Sequence, residues 1–177
     1  IAFIIAETGL RPGNARSAQH GKYGVSTFLK EHVSIAGGAV SFAFTGKHGQ
    51  PNVAEIRDPD FASAFRKHLD GRGDGPAFDV DSADARTILP KGLKLKDMRT
   101  LVATRTAREQ VASWPGPPPP LTGNEKTDNR TIARALKAMS TVVAERLNNT
   151  PPVARASYIH PEVFKAWIAE VRKGRGA

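Results

Sequence analysis

The sequence contains no cysteine, and this absence removes several kinds of chemistry. A chain without thiols forms no disulfides, holds no thiolate zinc site and uses no cysteine nucleophile. Reactive groups must therefore come from Ser, Thr, Tyr, Lys, His or carboxylate side chains. The five histidines lack paired metal-ligand spacing, and no glycine-rich phosphate loop or nucleotide fingerprint occurs. We expect neither a metal nor a cofactor.

The chain also lacks a long apolar run. No stretch of about 18 consecutive apolar residues occurs, and no signal-peptide pattern is present. The sequence therefore predicts neither a membrane span nor secretion, and we expect a soluble intracellular protein. The N-terminal run, 1-IAFIIAETGL-10, begins inside an apolar stretch without a methionine or an N-cap residue. We expect it to be a fragment that has lost an upstream domain.

Acidic residues are in the minority. The 177 residues include 26 Lys and Arg against 17 Asp and Glu, which gives a formal charge of +9. Such a balance favours an acidic polymer as partner, with nucleic acid first and an anionic membrane second. With 40% hydrophobic residues, the chain is long enough to bury one core, so we expect a single domain.

Tyrosine is scarce as well, since it occurs only at Tyr23 and Tyr158. The second tyrosine lies in a basic segment shortly before a His-Pro break, in 155-RASYIHPEVF-164. A tyrosine near a helix end is usually a packing residue with a satisfied hydroxyl. The local pattern therefore leaves two interpretations open, a packed aromatic ring or a reactive phenol.

Hydrophobic periodicity predicts a mainly helical α+β fold with a small three-stranded antiparallel sheet. Between residues 31 and 59 the apolar period is two, with turns at Gly37-Gly38 and at 46–50. The apolar residues of the three predicted strands are Val33 and Ile35, then Val40, Phe42 and Phe44, then Val53 and Ile56.

Helices are predicted on both sides of this sheet. One ends at Gly9, a short one follows Asn14, and one begins at Asp58-Pro59. Further helices are predicted over 82–89, 97–113 and 127–149, then after Thr150 with Tyr158 near its end, and finally around 163–171. The proline-rich stretch 115–125 cannot form regular structure and is predicted to be a flexible exposed loop.

Four segments place cations or hydrogen-bond donors where a core would not need them: 8-TGLRPGN-14, 45-TGKHG-49, 94-KLKDMRT-100 and 147-LNNTPPVARASYIHP-161. Together with the order of elements around them, these segments resemble the catalytic domain of type IB DNA topoisomerases, in particular the small bacterial and poxvirus-like branch. The resemblance covers nearly the whole chain, and the motifs are specific in combination although each alone is weak.

The resemblance implies a fold, a partner and an activity. The fold would be the catalytic fold shared by tyrosine recombinases and type IB topoisomerases, with residues 1–177 forming a C-terminal catalytic domain. An upstream domain that completes a DNA clamp would be absent from the fragment. The protein would act as a monomer on double-stranded DNA, in the cytoplasm at the bacterial nucleoid, and would relax supercoils without ATP or metal.

The same resemblance assigns roles to five residues by position. Tyr158 matches the nucleophile that attacks a phosphodiester and leaves a 3′-phosphotyrosyl link. Arg11 and Arg99 match the arginines that hold the nonbridging oxygens. Lys47 matches the general acid for the 5′-oxygen, and Asn149 matches a position, histidine in some members, that donates a further hydrogen bond.

These residue types suit the chemistry. Charge grows on the equatorial oxygens during attack, and an arginine fork stays protonated and can bind two oxygens at once. An expelled alkoxide leaves poorly unless it is protonated, and a lysine at a hairpin tip can supply that proton. Each residue also has an ordinary interpretation, because Arg11 and Arg99 could be surface cations, Lys47 an edge-protecting charge and Asn149 a helix cap.

Two other functions fit part of the pattern. A tyrosine recombinase shares the fold and the Arg, Lys, Arg and Tyr set, but it favours a His-x-x-Arg box, whereas this chain has Lys96-Asp97-Met98-Arg99 and carries Asn149 in place of a histidine. A DNA-binding relative without catalysis is the second alternative. Asn148 also stands where the family usually has glycine.

Overall fold

A computed structural model describes residues 1–114 and 119–173 of the protein. The chain divides into two compact units, an N-terminal unit, Ile1–Arg99, and a C-terminal unit, Thr100–Ala177. Each unit has its own cluster of buried apolar residues. The expectation of one catalytic domain over the whole chain stays a prediction.

The mainly helical α+β architecture is confirmed. In chain order the elements are α1 Ala2–Thr8, α2 Ala15–Ala18, β1 Val33–Ala36, β2 Ala39–Thr45, β3 Pro51–Arg57, α3 Pro59–Leu69, α4 Ser82–Thr87, α5 Leu95–Ala112, α6 Glu125–Arg146, α7 Pro151–Ser157 and α8 Pro161–Lys173. The boundary between the two units falls within α5. A helix that could cross a membrane is absent from the described ranges.

The three strands form one antiparallel sheet in the order β1-β2-β3. The central strand buries Val40, Phe42 and Phe44, which alternate along β2 as a period of two requires. Phe42 packs against Phe65 of α3, with ring centroids 6.2 Å apart. One face of the sheet therefore forms the core of the N-terminal unit.

The two apolar residues that indicated the third strand lie on opposite faces of β3. Val53 is 81% exposed, whereas Asn52 and Ile56 are buried. Successive side chains of a strand point to opposite faces, so Val53 and Ile56, three positions apart, could not share one face. The strand itself lies where the alternation indicated.

Local capping explains where the helices of the N-terminal unit begin and end. Helix α1 ends at Gly9, whose φ of 75° is left-handed, and Asp58 accepts hydrogen bonds from the first turn of α3. Helix α5 begins at Leu95, two residues before its predicted start, because Asp97 acts at the third helical position and accepts from the Lys94 N–H. Helix α4 ends two residues earlier than predicted.

The C-terminal unit is built around α6. Its predicted apolar stripe is buried throughout: Ile132, Leu136, Met139, Val143 and Leu147. Helix α6 starts at Glu125 because the Asn124 side chain accepts from the Thr127 N–H. The predicted loop over 115–125 therefore ends one residue earlier, and residues 115–118 lie outside the described part of the chain.

Candidate active site

Arg11 lies in the segment that joins α1 to α2, and this segment is held by backbone hydrogen bonds to a neighbouring loop. The Val25 N–H donates to the Arg11 carbonyl at 2.9 Å, and the Ser26 N–H donates to the Pro12 carbonyl at 2.7 Å. The Arg11 side chain is half-buried. The backbone that carries this guanidinium is thus fixed by contacts that do not involve the side chain.

Gly24 allows the two segments to approach this closely. A Cβ atom at Gly24 would lie 2.7 Å from the Arg11 carbonyl oxygen and would also collide with the Gly13 backbone. Backbone atoms cannot move aside as the end of a flexible side chain can. A side chain at position 24 would therefore displace the Arg11 segment.

Arg99 contacts the same segment from α5. Its guanidinium is 2% exposed, and its Nη1 donates to the Gly9 carbonyl. Gly9 precedes Arg11 by two residues, and its left-handed conformation ends α1. The N-terminal unit therefore brings the two predicted arginines to one short stretch of backbone.

Lys47 lies at the tip of the hairpin between β2 and β3. The turn is closed by the Gly46 N–H, which donates to the Gln50 carbonyl at 2.8 Å, and a single 3₁₀ turn spans Lys47–Gly49. The Lys47 side chain is exposed. His48 adopts a φ of 63°, so the turn accepts a left-handed residue directly beside the lysine.

The loop beside Arg11 also connects to this hairpin. The Tyr23 N–H donates to the Thr45 carbonyl at 2.8 Å, just before the Lys47 turn. Tyr23 and Val25 are two residues apart, which separates their Cα atoms by at most about 7 Å. One short loop therefore contacts both the end of β2 and the Arg11 carbonyl.

An aromatic pair supports the position of Tyr23. Its ring packs edge-on against His32, with centroids 4.6 Å apart. Burial lowers the pKa of His32, although the nearby Glu31 carboxylate partly offsets that shift. The ring is therefore neutral near pH 7, which lets its Nδ1 accept from the Leu29 N–H at 3.0 Å.

Asn149 lies in the C-terminal unit, in the turn that ends α6. Its N–H donates to the Ala144 carbonyl at 2.8 Å, and the Asn148 N–H donates to the Glu145 carbonyl at 3.1 Å. This pair of bonds is the Schellman arrangement, whose αL position is usually glycine. Asn148 occupies it with a φ of 48°, a conformation that asparagine tolerates better than most residues.

Tyr158 directly follows α7 and caps its C-terminus. Its N–H donates to the Ala154 carbonyl at 3.1 Å, and the residue is 9% exposed within the apolar cluster of the C-terminal unit. The residue is thus largely buried, and its role as a nucleophile stays a prediction. Asn149 and Tyr158 flank α7 at its two ends, and a seven-residue helix is roughly 10 Å long.

Thr104 of α5 is a contact of the Tyr158 segment that the sequence did not indicate. Its Oγ1 accepts from the His160 N–H at 3.1 Å and lies 3.5 Å from the Tyr158 carbonyl oxygen, to which it can donate. The hydroxyl therefore fixes the backbone on both sides of Ile159. A threonine in the middle of a helix carries no local sequence signal for such a role.

The predicted site residues fall into two groups. Arg11, Lys47 and Arg99 belong to the N-terminal unit, and Asn149 and Tyr158 belong to the C-terminal unit. The gathering of all five around one phosphate stays a prediction. No group of three or more His, Asp or Glu side chains suited to a metal ion occurs within residues 1–114 and 119–173.

Comparison with known proteins identifies the class. The family model described as the catalytic core of eukaryotic DNA topoisomerase I matches residues 1–175. The chain belongs to this family, which confirms the resemblance inferred from its motifs.

Among individual proteins, the chain is similar to DNA topoisomerase 1B of Acanthamoeba polyphaga mimivirus. The two are 25% identical over an alignment of 174 residues, and the match covers 88% of this chain and 50% of the viral protein. The chain therefore spans about half the length of the curated relative it matches.

Proposed function

We propose that the protein relaxes supercoiled double-stranded DNA as a type IB topoisomerase, by cleaving and rejoining one strand without ATP or metal. The observation that carries this proposal is the arrangement of the N-terminal unit. There, Arg99 and the loop at 23–26 hold the segment of Arg11, and the same loop contacts the base of the Lys47 hairpin. In a chain of this family, Arg11, Lys47 and Arg99 thus lie on backbone segments that contact one another.

The proposed reaction is a reversible exchange of ester bonds. The Tyr158 oxygen attacks the phosphorus, the bond from phosphorus to tyrosine forms, and the bond from phosphorus to the 5′-oxygen breaks. The phenol gives its proton to solvent water, and the Lys47 ammonium gives a proton to the departing 5′-oxygen and is reprotonated from solvent. Because one phosphate ester replaces another, the energy of the broken phosphodiester bond is conserved in the phosphotyrosyl bond and is available for religation.

The arginines would act on the charge that develops during attack. Each guanidinium stays protonated and can donate two parallel hydrogen bonds to phosphate oxygens. Donors that are fixed before the reaction stabilise the transition state without further reorganisation. Arg11 on its backbone-anchored segment and the buried Arg99 would supply such donors, and Asn149 would add a neutral one.

Thr104 would act as a positioning residue for the nucleophile. Thr104→Val keeps the shape of the side chain but removes the hydroxyl that contacts Tyr158 and His160. We expect cleavage at saturating DNA to slow about fivefold, the effect of losing a hydrogen bond worth about 1 kcal/mol, with DNA affinity unchanged. Single-turnover cleavage and equilibrium binding measure the two quantities separately.

Thr104→Ser is the matched control, because it keeps the hydroxyl and should restore most of the rate. Both variants should be assayed well below their melting temperatures. A valine variant that cleaves at the wild-type rate would show that the Thr104 contacts do not position Tyr158.

Lys47→Ala tests the proposed general acid. The variant should cleave an ordinary DNA strand slowly, yet be largely rescued when a sulfur atom replaces the bridging 5′-oxygen at the scissile bond. A thiolate leaves readily without a proton, so the missing acid matters little for that substrate. Single-turnover cleavage of the two DNAs gives the comparison.

The neighbouring His48→Ala variant serves as the control for disturbance of the hairpin turn. It should behave similarly to the wild type on both DNAs. Equal slowing of Lys47→Ala on the oxygen and sulfur substrates would mean that Lys47 positions the DNA and does not protonate the leaving group.

A plasmid assay tests the overall function and separates it from the alternatives. The protein should relax supercoiled plasmid in EDTA without nucleotide, and it should not exchange strands between two DNA molecules. Joining of separate sites would identify a recombinase. Binding without any covalent DNA adduct would identify a non-catalytic relative.

A further inference from the structure

Helix α6 carries a row of positive side chains along one side. The residues lie four, four and three positions apart, a spacing that places them within roughly 80° of arc on an α-helix. All are exposed, and they extend along about 16 Å of the helix axis. We call this set the α6 basic row: Lys126, Arg130, Arg134 and Lys137.

The row has no neutralising partners within residues 1–114 and 119–173. The ion pairs of these ranges involve other residues. The acidic residues at the start of α6 do not compensate the row, because Glu125 projects about 100° away from Lys126 and buried Asp128 accepts from Thr122 and Gly123. Like charges one turn apart destabilise a helix. The row therefore lowers the folding stability of the protein, and no ion pair within the described ranges offsets this loss.

The burial of the apolar side of α6 argues against a membrane as the partner of the basic row. An interfacial helix inserts its apolar side into lipid, but the apolar stripe of α6 is buried in the core of its own unit. The charge of the surrounding unit matches an extended polyanion instead. Residues 100–177 contain 12 Lys and Arg against 6 Asp and Glu, so their net charge is +6. This is two thirds of the formal charge of +9 that the whole chain carries.

The C-terminal end of the row opens into a groove beside α7. Lys137 and Ser140 of α6 and Arg155 of α7 line this groove, which has a volume of about 600 Å³. Arg155 lies three residues before Tyr158. The positive surface therefore continues from α6 onto the helix that Tyr158 caps.

We propose that the α6 basic row binds the phosphate backbone of duplex DNA outside the phosphodiester that reacts. The inference rests on the proposed function for the identity of the polymer. Duplex DNA carries one charge per about 1.7 Å of its axis, so a 16 Å segment presents on the order of nine charges to a surface with four cations. Contacts of this kind add affinity for any sequence and do not enter the chemical step.

A salt titration measures the contribution of the row. We compare the wild type with a variant in which all four residues of the row are changed to Gln, using a short duplex at about 50 to 200 mM salt. Each lost phosphate contact should reduce the slope of log affinity against log salt by about 0.9, so the slope should become shallower by about 3 to 4. Cleavage at saturating DNA should keep the wild-type rate.

A matched control removes four exposed cations elsewhere: Lys67, Arg86, Lys91 and Lys173 changed to Gln. This control has the same net charge as the row variant and should change the slope by less than half as much. The row variant should melt no earlier than the wild type, because it loses like-charge repulsion along α6.

Two results would overturn the proposal: an unchanged salt slope, or an equal change in the control variant. An unchanged DNA slope together with lost binding to phosphatidylserine vesicles would identify a membrane as the partner of the row. Failure of the proposed function gives a different result, because then no DNA adduct forms on Tyr158 while the row variant still shows the shallower slope.

Discussion

Tyr158→Phe is expected to abolish the covalent protein–DNA adduct while leaving DNA affinity nearly intact. The change removes the proposed nucleophilic oxygen, for which phenylalanine has no substitute. It keeps the ring, which is 9% exposed and packs in the core of the C-terminal unit, so the unit should stay folded. Denaturing gels of reactions with suicide DNA, in which religation is blocked by loss of the short downstream strand, measure the adduct.

Tyr23→Phe is the matched control, because Tyr23 is the other of the two tyrosines in the chain. Its structural contact to the Lys47 hairpin is made by the backbone N–H and not by the phenol. The control should form the adduct at the wild-type rate. Persistence of the adduct in Tyr158→Phe would refute the assignment of the nucleophile.

Arg11→Ala should slow single-turnover cleavage by about 10²- to 10³-fold, the loss seen when one fixed donor to a developing oxyanion is removed. The hydrogen bond from the Val25 N–H to the Arg11 carbonyl does not involve the side chain and should survive the change. Arg11→Lys should recover part of the rate, since an ammonium restores the charge but not the two-pronged geometry. Rapid-quench cleavage at saturating DNA gives these rates.

Arg16→Ala provides the comparison for a nearby cation. Arg16 is exposed on α2, five residues from Arg11. Its removal should leave the cleavage rate close to that of the wild type, because exposed charges away from the reacting phosphate contribute mainly to binding. Similar slowing by Arg11→Ala and Arg16→Ala would mean that Arg11 acts through general electrostatics and not through direct contact.

Arg99 is less suited to such a test. It is 2% exposed and donates to the Gly9 carbonyl, so alanine would leave that acceptor unsatisfied and would open a void beside the Arg11 segment. Slow cleavage by Arg99→Ala would thus combine two effects, the loss of the proposed contact to the phosphate and the displacement of the Arg11 segment.

Periodicity and capping chemistry made much of the fold predictable from the sequence. The alternation of Val40, Phe42 and Phe44 specified β2, and the stripe through α6 specified its buried side. Gly9 and Asp58 marked helix ends because their backbone and side-chain preferences act over a few residues. Local signals of this kind require no knowledge of tertiary contacts.

Other features depend on contacts between distant parts of the chain and could not be predicted. Gly24 matters because the Arg11 carbonyl approaches it, and Thr104 matters because the Tyr158 segment passes its hydroxyl. The start of α5 was misplaced because Asp97 caps from inside the helix, although an aspartate more often stands before the first turn. The five site residues were inferred from family motifs, which specify residue types in order but not distances.

The most direct test of the account is the identity of the amino acid that carries DNA after trapping. Trypsin should release the modified peptide Ala156–Lys165 from the adduct, and fragmentation by mass spectrometry can distinguish Tyr158 from the adjacent Ser157. The account predicts a nucleotide attached through its 3′-phosphate to Tyr158, with a free 5′-hydroxyl on the released strand. A nucleotide on Ser157 or on any other residue, or one attached through a 5′-phosphate, would contradict it.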